Sequence, residues 1–299
     1  MKNVIITGGN SGLGFETAKK IAKDRDYRII LACRNAEKAA DAKEKIIAET
    51  GNENIDTMLL DTSLLFSVRA FADAYLTKYE TVDVLINNAG VSAMKANGVT
   101  AEGFELVFAT NYLGHFLLTQ LLLPHFAEKG RIISVSSDMH NPPGGIEWKS
   151  TEYLAHEAME DRSRYSHAKL CVIYFTLKLD ELLRAEGSSV TANSFNPGFM
   201  MATNFMAGGP GGPGGPGAPG GGRPAQAHTI DVKTAMPDRY GEVGTSSDAL
   251  AQIATDSQFD GVSGQYFDRS INTAASSELS YNRENREELW VKSLEYCGL

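Results

Sequence analysis

Three residues, Ser137, Tyr165 and Lys169, set the chemistry open to this chain. The run Tyr165-Ser-His-Ala-Lys169 places a phenol and an ammonium one helical turn apart, on the same face. A tyrosine is a poor acid near neutral pH. A nearby cation stabilises its phenolate and is expected to lower its pKa towards the working range. Tyr-x3-Lys alone is an ordinary helix face, and it gains meaning from the stretch Asn3 to Ala22. There the β-branched run Val4-Ile5-Ile6-Thr7 reads as a buried parallel strand. Gly8, Gly9, Gly12 and Gly14 follow in a turn, and an amphipathic helix starts at about Ser11. Glycines permit the backbone angles of such a turn and let a pyrophosphate approach, while free N–H groups at the helix start favour its charge. The expected ligand contacts are Gly8, Asn10, Ser11, Gly12 and Leu13.

The remaining elements must hold these groups together. Tyr27 to Cys33 reads as a second strand ending at Arg34, and Ala36 to Glu49 as a surface helix. Ile55 to Leu60 gives a third strand closed by Asp61-Thr62, and a helix from about Leu64 to Lys78 leads to a fourth strand, Val82 to Asn87. Asn88-Ala89-Gly90 lies past its end. Gly103 to Phe126 reads as a long apolar helix carrying Asn111, Arg131 to Ser136 as a fifth strand with Ser137 just beyond. A helix containing Tyr165 and Lys169 precedes a sixth strand, Val190 to Phe195, and then Asn196-Pro197-Gly198. A helical region runs to about Thr255, Gln265 to Phe267 gives a short last strand, and the tail with Trp290 a packed helix. Strand and helix alternate throughout, which predicts an α/β fold: a doubly wound parallel sheet of Rossmann type in a single domain, 1–299. Ligands in such sheets bind beyond the carboxyl ends of the strands, where Arg34, Asp61, Asn88, Ser137 and Pro197 all fall.

Residues 208–222 break the alternation with a Gly-Gly-Pro repeat too short for a triple helix. They read as a flexible or polyproline-like insert, expected as a spacer or lid within a substrate loop, 199–228. Composition sets the other limits. A net charge of −9 argues against nucleic acid or an anionic membrane as partner. Cys33, Cys171 and Cys297 have no metal-type spacing and suggest a reducing compartment. The apolar run Leu113 to Leu123 is interrupted by His115, Thr119 and Gln120, and no membrane span is expected. With a strand starting almost at Met1, no signal peptide is expected, and a cytoplasmic soluble protein is. His115, His140 and His167 are expected to be structural or exposed, and Cys33 and Cys171 to be buried as small hydrophobes.

Together the motifs Thr7-Gly8-x3-Gly12-x-Gly14, Asn87-Asn88-Ala89-Gly90, Asn111, Ser137, Tyr165-x3-Lys169 and Pro197-Gly198 resemble, in order, those of the short-chain dehydrogenase/reductase family. Ala32-Cys33-Arg34-Asn35, Ala101-Glu102-Gly103-Phe104-Glu105 and Asn111-Tyr-Leu-Gly-His-Phe116 resemble its branch of retinol dehydrogenases and light-dependent protochlorophyllide reductases. The resemblance implies that Tyr165 donates or accepts the proton, that Lys169 lowers its pKa and binds the nicotinamide ribose, and that Ser137 holds the reacting carbonyl. Ser136 is the weaker candidate because it is expected inside the strand. By the same resemblance Asn111 holds a water that links Lys169 to solvent. Asp61 and Thr62 meet the adenine, Asn88, Ala89 and Gly90 a ribose, and Pro197-Gly198 the nicotinamide. An acidic residue past the second strand would bind the ribose hydroxyls of NAD; Arg34 stands there instead and can pair with the 2′-phosphate of NADP. The expected function is NADP(H)-dependent interconversion of a carbonyl and an alcohol on a bulky apolar molecule, such as a steroid, retinoid or polyketide. Phe199, Met200, Met201, Phe205 and Met206 supply the apolar wall. A photoreductase and an NADPH-sensing regulator are the alternatives. The photoreductase group carries a cysteine where Phe199 stands, and regulators usually lack the tyrosine or lysine retained here. A homodimer or homotetramer is compatible with the apolar helices.

Overall fold

Along the inner strands, side chains alternate between two apolar clusters. Ile5, Ile30, Leu85 and Ile132 point to one face of the sheet. Val4 and Ile6, Ile29 and Leu31, Val84 and Ile86, Ile133 and Val135 point to the other. Period-2 alternation with both sets apolar is what a parallel sheet covered on both faces requires. The computed structural model describes residues 1–94, 96–200 and 239–299. The insert 208–222, and Met201, Phe205 and Met206 of the expected substrate wall, lie outside the described residues.

The strands are β1 (Lys2–Thr7), β2 (Tyr27–Cys33), β3 (Ile55–Leu59), β4 (Val82–Asn87), β5 (Phe126–Val135), β6 (Thr191–Asn196), β7 (Tyr266–Asp268) and β8 (Thr273–Ala274). They lie in the order β3-β2-β1-β4-β5-β6-β7-β8. All pairs are parallel except β7–β8. The order reverses between β1 and β4, the switch point at which such sheets open a crevice. The fold is therefore the doubly wound sheet expected from the sequence.

Helices α1 (Gly12–Ile21), α2 (Ala36–Thr50) and α7 (Val243–Thr255) bury residues in the cluster around Val4 and Ile6. On the opposite face lie α3 (Leu65–Lys78), α4 (Leu106–Phe108), α5 (Gly114–Leu122), α6 (Arg164–Ala185) and α8 (Arg283–Cys297). Trp290 of α8 meets Phe116 edge-on at 5.1 Å and stacks on Phe175 at 6.2 Å. The Tyr112 hydroxyl hydrogen-bonds Ser293 Oγ at 2.7 Å. Leu117, Leu118 and Leu122 are thus core, beneath a helix of the same chain.

Several features differ from expectation. β5 begins at Phe126, five residues early, because Phe126 pairs with Val82 of β4 before a register shift. It also ends at Val135, which puts Ser136 outside the strand. The antiparallel β8 was not expected; two exposed residues carry no periodic signal. The expected long helix is interrupted by a π turn, Ala109–Leu113, centred on Asn111. Finally, Leu106–His125 spans 20 residues and is apolar enough to cross a membrane by length and composition, contrary to the expectation. Most of it is buried in the protein. Thr119 fits that interior because its hydroxyl donates to the His115 carbonyl at 2.8 Å, so a polar residue there need not interrupt an apolar helix.

Candidate active site

The carboxyl ends of the strands open into one cleft of about 560 Å³. Gly8, Asn10, Ser11, Gly12, Leu13, Arg34, Asp61, Thr62, Asn88, Ala89, Gly90, Ser137, Tyr165, Lys169, Pro197 and Gly198 all line it. Asn111 does not border the cleft directly.

The glycine turn is shaped by what surrounds it. Gly8 and Gly12 adopt φ of +65° and +57°, angles that disfavour a side chain. A Cβ on Gly14 would stand 2.5 Å from Asn88 Nδ2, so glycine there lets α1 approach the turn after β4. Ser11 caps α1 in extended conformation without a side-chain hydrogen bond, and no acidic residue occupies the helix's first turn. The N–H groups at that end therefore face the cleft with no carboxylate beside them, as a bound pyrophosphate requires. Arg34 is exposed at the rim, and its guanidinium pairs with no carboxylate among the described residues. Asn35 caps α2 by accepting from Lys38 N at 2.8 Å. Asp61 Oδ1 is held by Ser63, at 3.0 Å from N and 2.6 Å from Oγ. Next to it, a Cβ on Gly114 would overlap the Thr62 carbonyl, so only glycine lets α5 pass this turn.

At the other end, α6 presents Tyr165 and Lys169 towards the tip of β5. Ser137 hydrogen-bonds the Tyr165 side chain, and its Oγ also accepts from Met139 N at 3.2 Å. Ser136, just past the strand end, donates instead to the Lys169 carbonyl at 2.9 Å. It is occupied in holding α6 against β5, a different reason for setting it aside than a place inside the strand. Lys169 is buried, donates to the Val135 carbonyl at 2.8 Å, and lies 5.8 Å from the Tyr165 ring centroid.

The electrostatics correct one expectation. Burial pushes the Tyr165 phenol above its ordinary value, and the Ser137 hydrogen bond only partly opposes this. Burial also brings the Lys169 ammonium down to about 8. In the protein alone, desolvation is the largest influence on both groups. Asn111 likewise does more than expected. Its amide donates to the Val91 carbonyl at 2.9 Å and accepts from Val91 N at 2.7 Å. Its side chain is thus engaged in fixing the chain after Gly90.

Pro197-Gly198 is pinned as well. Ser246 Oγ donates to the Pro197 carbonyl at 2.8 Å, and Gly198 N donates to Asn196 Oδ1 at 2.9 Å. Phe199, Met200, Val91, Ala93, Met94 and Met139 give this end of the cleft an apolar wall. Sequence reasoning missed the buried pair Glu105–Arg164, whose Oε1 and Nε lie 3.3 Å apart. Arg164 also donates to the Ala93 and Ala96 carbonyls at 2.6 and 2.9 Å, tying that wall to α6. Adjacency to Tyr165 was its only signal.

A tyrosine and a lysine on the helix beside a glycine-turn cleft, in a sheet of this order, define an oxidoreductase of one class: the chain belongs to the short chain dehydrogenase family, whose model matches residues 2–148. Within the family it falls in the retinol dehydrogenase branch. It is 34% identical over 305 residues to retinol dehydrogenase 13 of Mus musculus, covering 100% of this chain and 84% of that protein. With polyprenol dehydrogenase of Homo sapiens it shares 33% identity over 310 residues, covering 99% and 84%. A crystal structure of an uncharacterized protein from Mycobacterium Paratuberculosis superposes with a TM-score of 0.71 at 26% identity, covering 100% of this chain and 94% of that one.

Proposed function

We propose that this oxidoreductase uses NADP(H) to interconvert a carbonyl and an alcohol on a bulky apolar substrate. One observation carries the reading: a single cleft has Arg34 at the tip of β2 and Ser137, Tyr165 and Lys169 beside an apolar wall. A guanidinium at the rim suits a 2′-phosphate, with its charge and fork of donors, better than it suits the bare ribose hydroxyls. When bound, the nicotinamide supplies or accepts the hydride and, oxidised, brings a positive charge. The chain's own part is position and proton. Ser137 Oγ holds the substrate oxygen within reach of Tyr165. A phenol raised by burial keeps its proton at neutral pH and is a competent donor in the reductive direction. Lys169 is still mostly cationic at pH 7 and favours the phenolate left behind. Phe199, Met200 and Met139 line the apolar side of the cleft and adapt to bulk. The names of the mouse and human relatives, which refer to retinol and polyprenol, support an apolar alcohol.

The test is a dark screen of NADPH oxidation against retinal, a long-chain isoprenoid aldehyde, steroid ketones and small soluble ketones. The highest kcat/KM is expected on a bulky apolar compound. A preference for small ketones would overturn the substrate reading, and equal Kd values for NADPH and NADH by calorimetry would overturn the cofactor reading.

A further inference from the structure

His115 lies inside the protein, away from the cleft, yet it is bonded to the first residue of the glycine motif. Its Nε2 is 2.9 Å from Thr7 Oγ1, and its Nδ1 is 3.4 Å from the Asn111 carbonyl. Thr7 Oγ1 also accepts from Asn88 N and from Ala89 N, both at 2.8 Å. A hydroxyl has two lone pairs and one proton. With both lone pairs taken by these amides, Thr7 can only donate to His115, so Nε2 is the acceptor and Nδ1 carries the proton towards Asn111. The opposite tautomer would require Thr7 Oγ1 to accept three hydrogen bonds. Its proton would then be left with the Ile86 carbonyl at 3.5 Å.

We infer that His115 is a positioning residue for the cofactor: as the neutral Nδ1–H tautomer it takes the Thr7 proton and thereby aims both Thr7 lone pairs at the turn Asn88-Ala89-Gly90. That turn stands against the glycine turn, since a Cβ on Gly8 would be 3.1 Å from Ala89 Cα. The same turn is held on its far side by Asn111 through Val91. His115 therefore couples the two loops that line the nucleotide end of the cleft to the helix that carries Asn111. Burial agrees with a ring that stays neutral, holding His115 down to about 4. Without the imidazole, the Thr7 hydroxyl turns to the Ile86 carbonyl and its lone pairs turn off the amides.

The inference rests on the cleft being a nicotinamide dinucleotide site, and the experiment separates the two. Nitrogen-15 NMR of the histidine rings at pH 7, without cofactor, is expected to show His115 protonated at Nδ1; protonation at Nε2 would overturn the inference whatever the protein binds. Binding of NADPH and NADH is then measured for the wild type, His115→Phe and His115→Gln. His115→Phe keeps the ring volume without the acceptor and should weaken the preferred cofactor about tenfold. Its kcat at saturating cofactor should stay within about threefold, so the loss falls on KM for the cofactor. His115→Gln, whose amide oxygen reaches the Nε2 position, should recover most of the affinity. Should His115→Phe fail to fold, Thr7→Val and His115→Gln give the same comparison, because Thr7→Val removes the donor and should lose affinity while His115→Gln keeps it. Unchanged affinity in His115→Phe, or a His115→Gln variant as weak as His115→Phe, would overturn the role. A wild type that binds neither dinucleotide would instead overturn the reading of the cleft.

Discussion

The two ends of the cleft are built from different materials. At the nucleotide end the backbone shapes the site: left-handed glycines, a free helix start and a turn whose Asn88 and Ala89 amides are held by Thr7. Little there depends on whether a side chain is charged, apart from Arg34 at the rim. At the other end everything depends on side chains placed out of water. Tyr165 and Lys169 are each shifted by burial, and the wall that excludes solvent is held by the buried Arg164–Glu105 pair. The difference teaches that affinity and chemistry can be changed separately. A substitution at one end should leave the other's measurable quantity almost untouched.

The most severe test is Tyr165→Phe. It should reduce kcat by about 10²–10⁴-fold while the Kd for NADPH stays within about twofold. Near-normal dark turnover would refute the proton role, and turnover only under illumination would revive the photoreductase alternative. Next come the neighbouring serines. Ser137→Ala should lower kcat by about 10²-fold, as loss of one donor to the reacting oxygen does. Ser136→Ala should leave turnover within a few-fold and instead lower stability by about 1 kcal/mol, because it removes the bond to the Lys169 carbonyl. Steady-state rates and denaturant midpoints for the pair decide the matter; equal kinetic losses would show that the wrong serine has been assigned.

At the opposite end, Arg34→Asp should weaken NADPH by about tenfold or more, the effect of one charge contact, with NADH affected far less. If both cofactors weaken equally by calorimetry, Arg34 is merely structural. The smallest effect is on stability against pH. Lys169 titrates at about 8 when folded and at 10.5 when unfolded, so between these values the unfolded chain binds more protons. Stability from this group therefore rises with pH across that window and is lowest where the ammonium stays buried. Tyr165, shifted upwards, acts in the opposite sense only above its ordinary value of 10. Between pH 8 and 10 the melting temperature of Lys169→Met should thus gain on the wild type least at pH 10 and most at pH 8, by about 2–4 °C. A difference independent of pH would contradict the shift.

The nucleotide end was the more legible in the sequence, and for a physical reason. Glycine positions, strand ends and caps are local, and Gly8, Gly12 and Arg34 stand where one strand–turn–helix unit must put them. The doubly wound order followed from the same local alternation. What could not be read was set by burial from distant segments. Tyr165-x3-Lys169 was visible as a spacing, but its electrostatics depend on the packing around α6, which reverses the expected direction for the phenol. Glu105 and Arg164 are 59 positions apart in the chain and look like ordinary surface charges until the fold joins them. His115 could be placed in the interior but not linked to Thr7, a residue 108 positions earlier. β8 had too few residues to show a period at all.

The aromatic contact made by α8 has a consequence in time. Tyr112 and Ser293 are 181 residues apart in sequence, and Trp290 closes over Phe116 and Phe175 on the same side. Contacts this remote form slowly, since the intervening chain must be ordered before they repay its closure. Until α8 docks, the outer faces of α5 and α6 are an open aromatic surface on an otherwise nearly complete sheet. Refolding should therefore pass through a species that binds an apolar dye and scatters light as protein concentration rises. A chain shortened ahead of Arg283 should halt there, and one that refolds to a clear, dye-free solution would show that the surface heals without its cover.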